Sequence, residues 1–164
     1  MIDLRFPTAL QMMLSLALAE EEHIPQLASS DLAQGLGANP SFVRKLLLPL
    51  ARNGLVVSTM GKAGGVKLAR PARQIRLSEI YAAATAGKPL WAARHDVPHQ
   101  CVVTSNIETF FVSLASEAEL AVMTALGKRT LAHALAEMRA LDARKETKRV
   151  PAARSTSARE RGSS

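Results

Sequence analysis

The stretch "ARHDVPHQC" places His95, His99 and Cys101 within seven residues. A thiol and two imidazoles this close offer several chemistries. A helix start just after Cys101 and a nearby histidine both lower a thiol pKa, which suits a redox or electrophile sensor. The same three side chains could bind a metal, but ligands would have to come from elsewhere or from a second subunit, and Pro98 interrupts the local geometry. Cys101 could equally be an inert buried thiol, because free cysteine packs as a small hydrophobe. A nucleophile–base pair of Cys101 with His99 is the weakest option. Residues two apart seldom face each other on a regular element, and no oxyanion-type loop or third orienting group is evident. The chain therefore reads as a non-enzyme. His23 and His133 stand alone in the sequence.

A second cluster is cationic. In "VVSTMGKAGGVKLARP" two alternating runs flank a glycine-rich centre, and Lys62, Lys67 and Arg70 sit among the glycines. Period-two alternation reads as a pair of half-buried strands. Leu55, Val57 and Thr59 are expected on one face of the first strand, and Val66 and Leu68 on one face of the second. Gly61, Gly64 and Gly65 supply the turn. Such a tip can approach a nucleic-acid backbone closely, and Lys62 and Lys67 would meet phosphates or an adjacent minor groove.

The elements that position these groups are helical. Leu10, Met13, Leu14 and Ala17 recur at helical spacing and predict a first helix over about residues 7–21, with Pro7 in its first turn. Ser29 or Ser30 is expected to cap a short second helix, with Asp31 favouring its dipole. Leu32, Ala33 and Leu36 form its buried face, and Gly37 ends it. Asn39 caps a third helix that has Pro40 at its first position. Val43, Leu46, Leu47 and Leu50 give that helix its apolar stripe. Two helices joined by a short glycine-containing turn are a helix-turn-helix signature. The hairpin that follows is then a wing. Ser30, Asn39, Ser41, Phe42, Arg44 and Lys45, together with Lys62 and Lys67, are the candidate DNA-binding residues, because the start of a recognition helix meets base edges and phosphates. Pro49 breaks a local rule, since it removes an interior N–H, and predicts a kink or an early end near residues 45–49.

Farther along, Ile107, Phe111, Leu114, Ala118, Ala121 and Ala125 alternate steps of four and three over about residues 104–126, widened by Phe110, Val122 and Leu126. That is a seam for a partner helix. Thr130 can cap a last amphipathic helix bearing Leu131, Leu135, Met138 and Leu141. Trp91, the only tryptophan, is expected as a core anchor at the junction, with the wall of an effector pocket as the lesser reading.

Composition agrees with this organisation. The 164 residues suffice for one modest core, and a formal charge of +7 favours a polyanionic partner. One cysteine excludes an intrachain disulfide framework and fits a reducing cytoplasm. No unbroken run of about 18 apolar residues exists and no signal peptide is evident, so neither a spanning helix nor a membrane partner is expected.

The sequence resembles the Rrf-two family of bacterial winged-helix regulators, in its single-cysteine form. The matching stretches are "LALA", "SSDLAQGLGANPSFVRKLLLPLARNGLVVS", "GKAGGVKLARP", "IRLSEIYAAATAG", "CVVTSNIETFF" and "LGKRTLAHAL", over about residues 3–136. The resemblance implies a homodimeric transcription factor, usually a repressor, on a palindromic double-stranded operator. It also implies a long C-terminal helix that crosses the partner subunit. Two positions depart from the family. Met60 stands where an arginine often precedes the wing glycine, and Arg44 where an acidic residue is common, so a relative's operator does not transfer. Many relatives hold an iron–sulfur cluster on three cysteines, but one cysteine cannot supply its thiolates, and no cofactor or metal is expected. For single-cysteine members the resemblance implies redox or thiol sensing, with an oxidant, thiol or other small effector as partner; the candidate sensor residues in this sequence are Cys101, His99 and His95.

The expected fold is therefore mainly α with a small β-hairpin. Residues 1–90 would form a winged helix-turn-helix domain, residues 91–143 a sensor loop and dimerisation helices, and residues 144–164 a disordered basic tail. The alternative function is a winged-helix RNA- or chromosome-binding protein without effector sensing.

Overall fold

The computed structural model describes residues 3–96 and 98–149. Six α-helices and one antiparallel hairpin follow in the order α1 (Arg5–Glu21), α2 (Ser29–Gly35), α3 (Pro40–Arg52), β1 (Val56–Thr59), β2 (Gly65–Leu68), α4 (Leu77–Thr85), α5 (Val102–Gly127) and α6 (Leu131–Arg149), with one 3-10 turn at Ala72–Gln74. The fold is mainly helical with a small hairpin, as expected. Met12, Met13, Val43, Leu50, Leu55, Ile75, Ile80 and Leu131 are the large side chains at the centre of the core. They come from α1, α3, α4, α6 and the segments flanking the hairpin, so one core holds the first four helices, the hairpin and the start of the last helix together. Phe6 and Tyr81 join α1 to α4 edge to face, with ring centroids 5.3 Å apart.

Several local expectations need correction. The first helix starts at Arg5, which puts Pro7 at its third residue, where its missing N–H still removes no intrahelical bond. Its most buried residues are Ala9, Met12, Met13, Leu16 and Ala17, so the stripe is rotated from Leu10 and Leu14, which are half-buried. Neither Ser29 nor Ser30 caps α2. Both lie inside it, and Ala28 occupies the cap position without a side-chain bond. Asn39 does cap α3, its Oδ1 accepting from Ser41 N–H at 2.8 Å, with Pro40 next. The helix does not end early at Pro49 but runs to Arg52. Leu46, Leu47 and Leu50 are anchored in the core on both sides of the proline. The carbonyl it leaves without an N–H belongs to exposed Lys45, where water can serve it.

The hairpin register pairs Val56 with Leu68, Val57 with Lys67, Ser58 with Val66 and Thr59 with Gly65. Directly opposed residues share a face, so Val56 joins Leu68 toward the core and Val57 points outward with Lys67. The expected grouping of Leu55 with Val57 is off by one. Leu55 is buried for a different reason: its N–H closes the end of α3 on the Leu50 carbonyl.

Helix α5 departs most from a monomer's core. Of its 26 residues only Ala115 is fully buried. By length and composition alone it is long and apolar enough to cross a membrane, because alanines, serines and threonines between its large residues keep a charge-poor window, although it holds no unbroken apolar run of that length. Helix α6 continues to Arg149, into the segment expected as tail from residue 144, since Ala, Arg, Lys and Glu are strong helix formers. The rest of that segment, residues 150–164, lies outside the described residues. Thr130 caps α6, accepting from His133 N–H at 3.2 Å. Leu131 and Leu135 are buried as expected, whereas Met138 and Leu141 are half exposed.

Candidate nucleic-acid interface and thiol loop

Helix α3 presents two opposite stripes. Val43, Leu46, Leu47 and Leu50 face the core. Ser41, Arg44, Lys45 and Leu48, also spaced i, i+3, i+4, i+7, face solvent. Leu48, which the sequence reading did not single out, is 53% exposed on that stripe and can contact a thymine methyl. Phe42 is half-buried and packs against the core, so it supports the helix more than it presents a reading surface. Asn39 is exposed, but its Oδ1 is committed to the cap. Ser30 is exposed beside Asp31 at the start of α2.

In the wing, Lys62 is exposed in the turn and Lys67 on the outward face of β2. The turn requires its glycines. Gly61 has φ +108°, and a Cβ on Gly64 would run into the Thr59 carbonyl. None of Arg44, Lys45, Lys62 or Lys67 takes part in a salt bridge among the described residues, whereas Arg5, Arg70, Arg129 and Arg139 each hold a carboxylate. Arg70 is thus drawn inward to Glu79, away from the phosphate-facing role its place near Lys67 suggests. The stripe and the wing tip leave four cations uncompensated, which is what a polyanion requires.

The wing is held from outside the hairpin by a segment the sequence reading missed. Leu27 exchanges two backbone hydrogen bonds with Val66, 2.9 and 2.8 Å, and Gln26 reaches the turn. No local signal marks Gln26, because its partners lie more than 30 residues away.

The loop before α5 does not gather its three candidate sensor residues. His95 Nδ1 lies 2.9 Å from Glu108 Oε1 on α5. His99 is exposed. Cys101 is exposed at the cap of α5, which removes the buried-thiol reading. Thr104 Oγ1 lies 3.5 Å from its sulfur. That hydroxyl, with the amides of Thr104 and Val103, holds the thiol below the usual cysteine range. The cause is the start of α5 and not His99. Among the described residues no three His, Cys, Asp or Glu side chains come together to hold a metal ion. With a single thiol in the chain, the donor set does not fit an iron–sulfur cluster.

Trp91 is not a core anchor. It is 52% exposed and leans on Phe111, ring centroids 6.3 Å apart, over an open cavity of about 570 Å³ that Val112, Ala115 and Met123 also line. The expected seam residues lie along the uncovered side of α5. Ile107, Leu114 and Ala121 are exposed, and Phe111 and Ala118 are half-buried. Glu119 fastens the loop to this helix by accepting from Leu90 N–H at 3.2 Å.

The chain is similar to known proteins along this whole arrangement. The HTH-type transcriptional regulator IscR of Cereibacter sphaeroides is 35% identical over 72 residues, which are 44% of this chain and 46% of that protein. YwgB of Bacillus subtilis is 31% identical over 103 residues, 57% of this chain and 66% of that one. The chain thus aligns with 32% to 66% of the length of the curated relatives it matches. A crystal structure from Lactobacillus plantarum shares the fold with a TM-score of 0.69 at 22% identity, covering 89% of this chain and 99% of that one. Residues 2–137 match the Rrf2 (Rrf-two) family, described as iron-dependent transcriptional regulators. The chain belongs to the Rrf2 family of transcriptional regulators.

Proposed function

We propose that the protein is a cytoplasmic, sequence-specific DNA-binding regulator and no enzyme, acting without a resident metal or cluster, as a homodimer that represses from a palindromic operator. The observation that carries this reading is the outward stripe Ser41, Arg44, Lys45 on a core-anchored helix, followed at once by a clamped cationic wing. The stripe would read base edges in the major groove, and Lys62 and Lys67 would hold the backbone beside it. The uncovered apolar side of α5 supports the dimer. Ile107, Phe110 and Leu114 are each 37% exposed or more, and a second copy would cover them. The test is a gel shift with the chain's own promoter against random duplex across a salt series. The regulator retains its promoter at salt that releases random DNA, whereas equal retention would favour a non-specific nucleic-acid binder.

Control would run through Cys101. Its exposure and lowered pKa support attack on a peroxide, which leaves a sulfenic acid on Cys101 and hydroxide as the other product. The thiol stands at the first turn of the dimer helix, so a new group there would tilt one reading head against the other. Two heads must stay about 34 Å apart to enter successive major grooves. His95 and His99 precede the thiol in the sequence, and His95 is paired with Glu108 instead, so the reading rests on Cys101 alone.

A further inference from the structure

We propose that Gln26, in the loop between α1 and α2, is a positioning residue for DNA binding. It aims the wing so that Lys62 meets the DNA backbone. This deepens the winged-helix reading and rests on it. The wing turn, Met60 to Gly64, has little of its own to hold it. Met60 is fully exposed, and across the turn run Gly64 N–H to the Gly61 carbonyl at 2.9 Å and Gly65 N–H to Thr59 Oγ1 at 3.2 Å. A glycine-rich turn in that state samples many orientations, and a cation on it would lose entropy when it docks. Gln26 supplies the missing restraint. Its Nε2 donates to the Ala63 carbonyl, the residue after Lys62, and its Oε1 accepts from Thr59 Oγ1 at 2.9 Å. Both ends of one amide are used, one on each side of the tip. The side-chain carbons of Gln26 and the Leu27 carbonyl also lie where a Cβ on Gly65 would fall, so β2 runs flush against this loop. The flanking Leu27–Val66 bonds fix the loop itself, and Gln26 thus acts from a rigid base.

The test compares wild type, Gln26→Ala, Thr59→Val and Lys62→Ala on the own-promoter duplex over a salt series. Thr59→Val removes the partner hydroxyl, and with it the bond from Gly65 N–H at 3.2 Å, while keeping a β-branched strand residue, so Gln26→Ala is the variant that isolates the amide. Gln26→Ala and Thr59→Val should each weaken binding about three- to tenfold. Each should also lower the slope of log K against log salt by about 0.9, the loss of one phosphate contact. Adding Gln26→Ala to Lys62→Ala should change little, because both remove the same contact. Unchanged melting temperatures keep this apart from a general loss of fold. If Lys62→Ala lowers the slope but Gln26→Ala and Thr59→Val leave it at the wild-type value, the positioning role is wrong while the wing reading stands. If the double variant shows the full product of the single losses, Gln26 does not act through Lys62. If wild type does not bind the promoter, the DNA-binding reading itself falls, and this proposal with it.

Discussion

Arg70 Nη2 lies 2.5 Å from Glu79 Oε1, and this pair ties the exit of the wing to the first turn of α4. The same guanidinium donates to the carbonyls of Gln74 at 3.0 Å and Gly54 at 3.5 Å, so it spans both ends of the hairpin. The other carboxylate oxygen accepts from Arg76 N–H at 2.8 Å, and the Arg76 side chain donates to the Gly127 carbonyl at 2.7 Å, where α5 ends. One acidic residue therefore stands between the wing and the long helix.

Glu79 makes stability depend on pH. Burial pushes its carboxyl up, but the hydrogen bonds from Arg70 and Arg76 outweigh burial and hold it below the usual glutamate range. A depressed folded pKa stabilises the native state above the unfolded value, and that contribution fades as pH falls through the folded value. Glu79→Gln should lower stability by about 1 kcal/mol at neutral pH, a modest figure for a pair one third exposed. Urea unfolding should show the gap to wild type closing in acid. A gap of the same size at both pH values would assign the loss to packing.

Arg44→Ala and Lys62→Ala should fail differently. Arg44 lies on the outward stripe proposed to read bases, so its loss should relax preference at one position by roughly 1–3 kcal/mol. Lys62, exposed at the wing tip, is proposed to meet the backbone, so its loss should weaken all sequences about equally. A binding array showing the same specificity loss for both would contradict the assignment of reading helix and wing.

Leu114 is 44% exposed in the single chain. Burying such a side chain is worth roughly 1.5–3 kcal/mol, and a two-fold interface counts it twice. Leu114→Asp should dissociate the proposed dimer and abolish operator binding. Sedimentation equilibrium checks this, and a monomeric wild type at the same concentrations would remove the interface.

Cys101→Ser should bind DNA as the reduced wild type does and stay bound after mild peroxide, while the wild type lets go. Thr104→Val should slow alkylation of Cys101 at neutral pH, because the hydroxyl that favours the thiolate is gone. Equal release by oxidised wild type and Cys101→Ser would make the thiol a bystander.

The reading helix was legible because its signals are local. Asn39 and Pro40 announce its start, and Val43, Leu46, Leu47 and Leu50 its buried side. The glycines of the wing were legible for the same reason. What escaped depends on distant partners. Whether Val56 or Val57 faces the core is set by pairing with Leu68 and Lys67, and alternation alone does not choose between them. Pro49 looked disruptive until the core contacts of Leu46 and Leu50 were in view. Gln26 carries no motif. Trp91 sits in a loop without periodicity, so size alone suggested burial. The α5 seam was visible as a pattern, but that Ala115 alone of this helix is buried in the single chain appears only in the folded structure.

The most direct test of the central claim is a hydroxyl-radical footprint of the protein on its own promoter. Two α3 heads with wings should leave two protected clusters centred about one helical turn apart, related by the operator's two-fold axis. Lys62→Ala should erase only the backbone protections at the outer flanks. A single protected patch with no two-fold relation, or a footprint that Lys62→Ala and Arg44→Ala alter identically, would contradict the account.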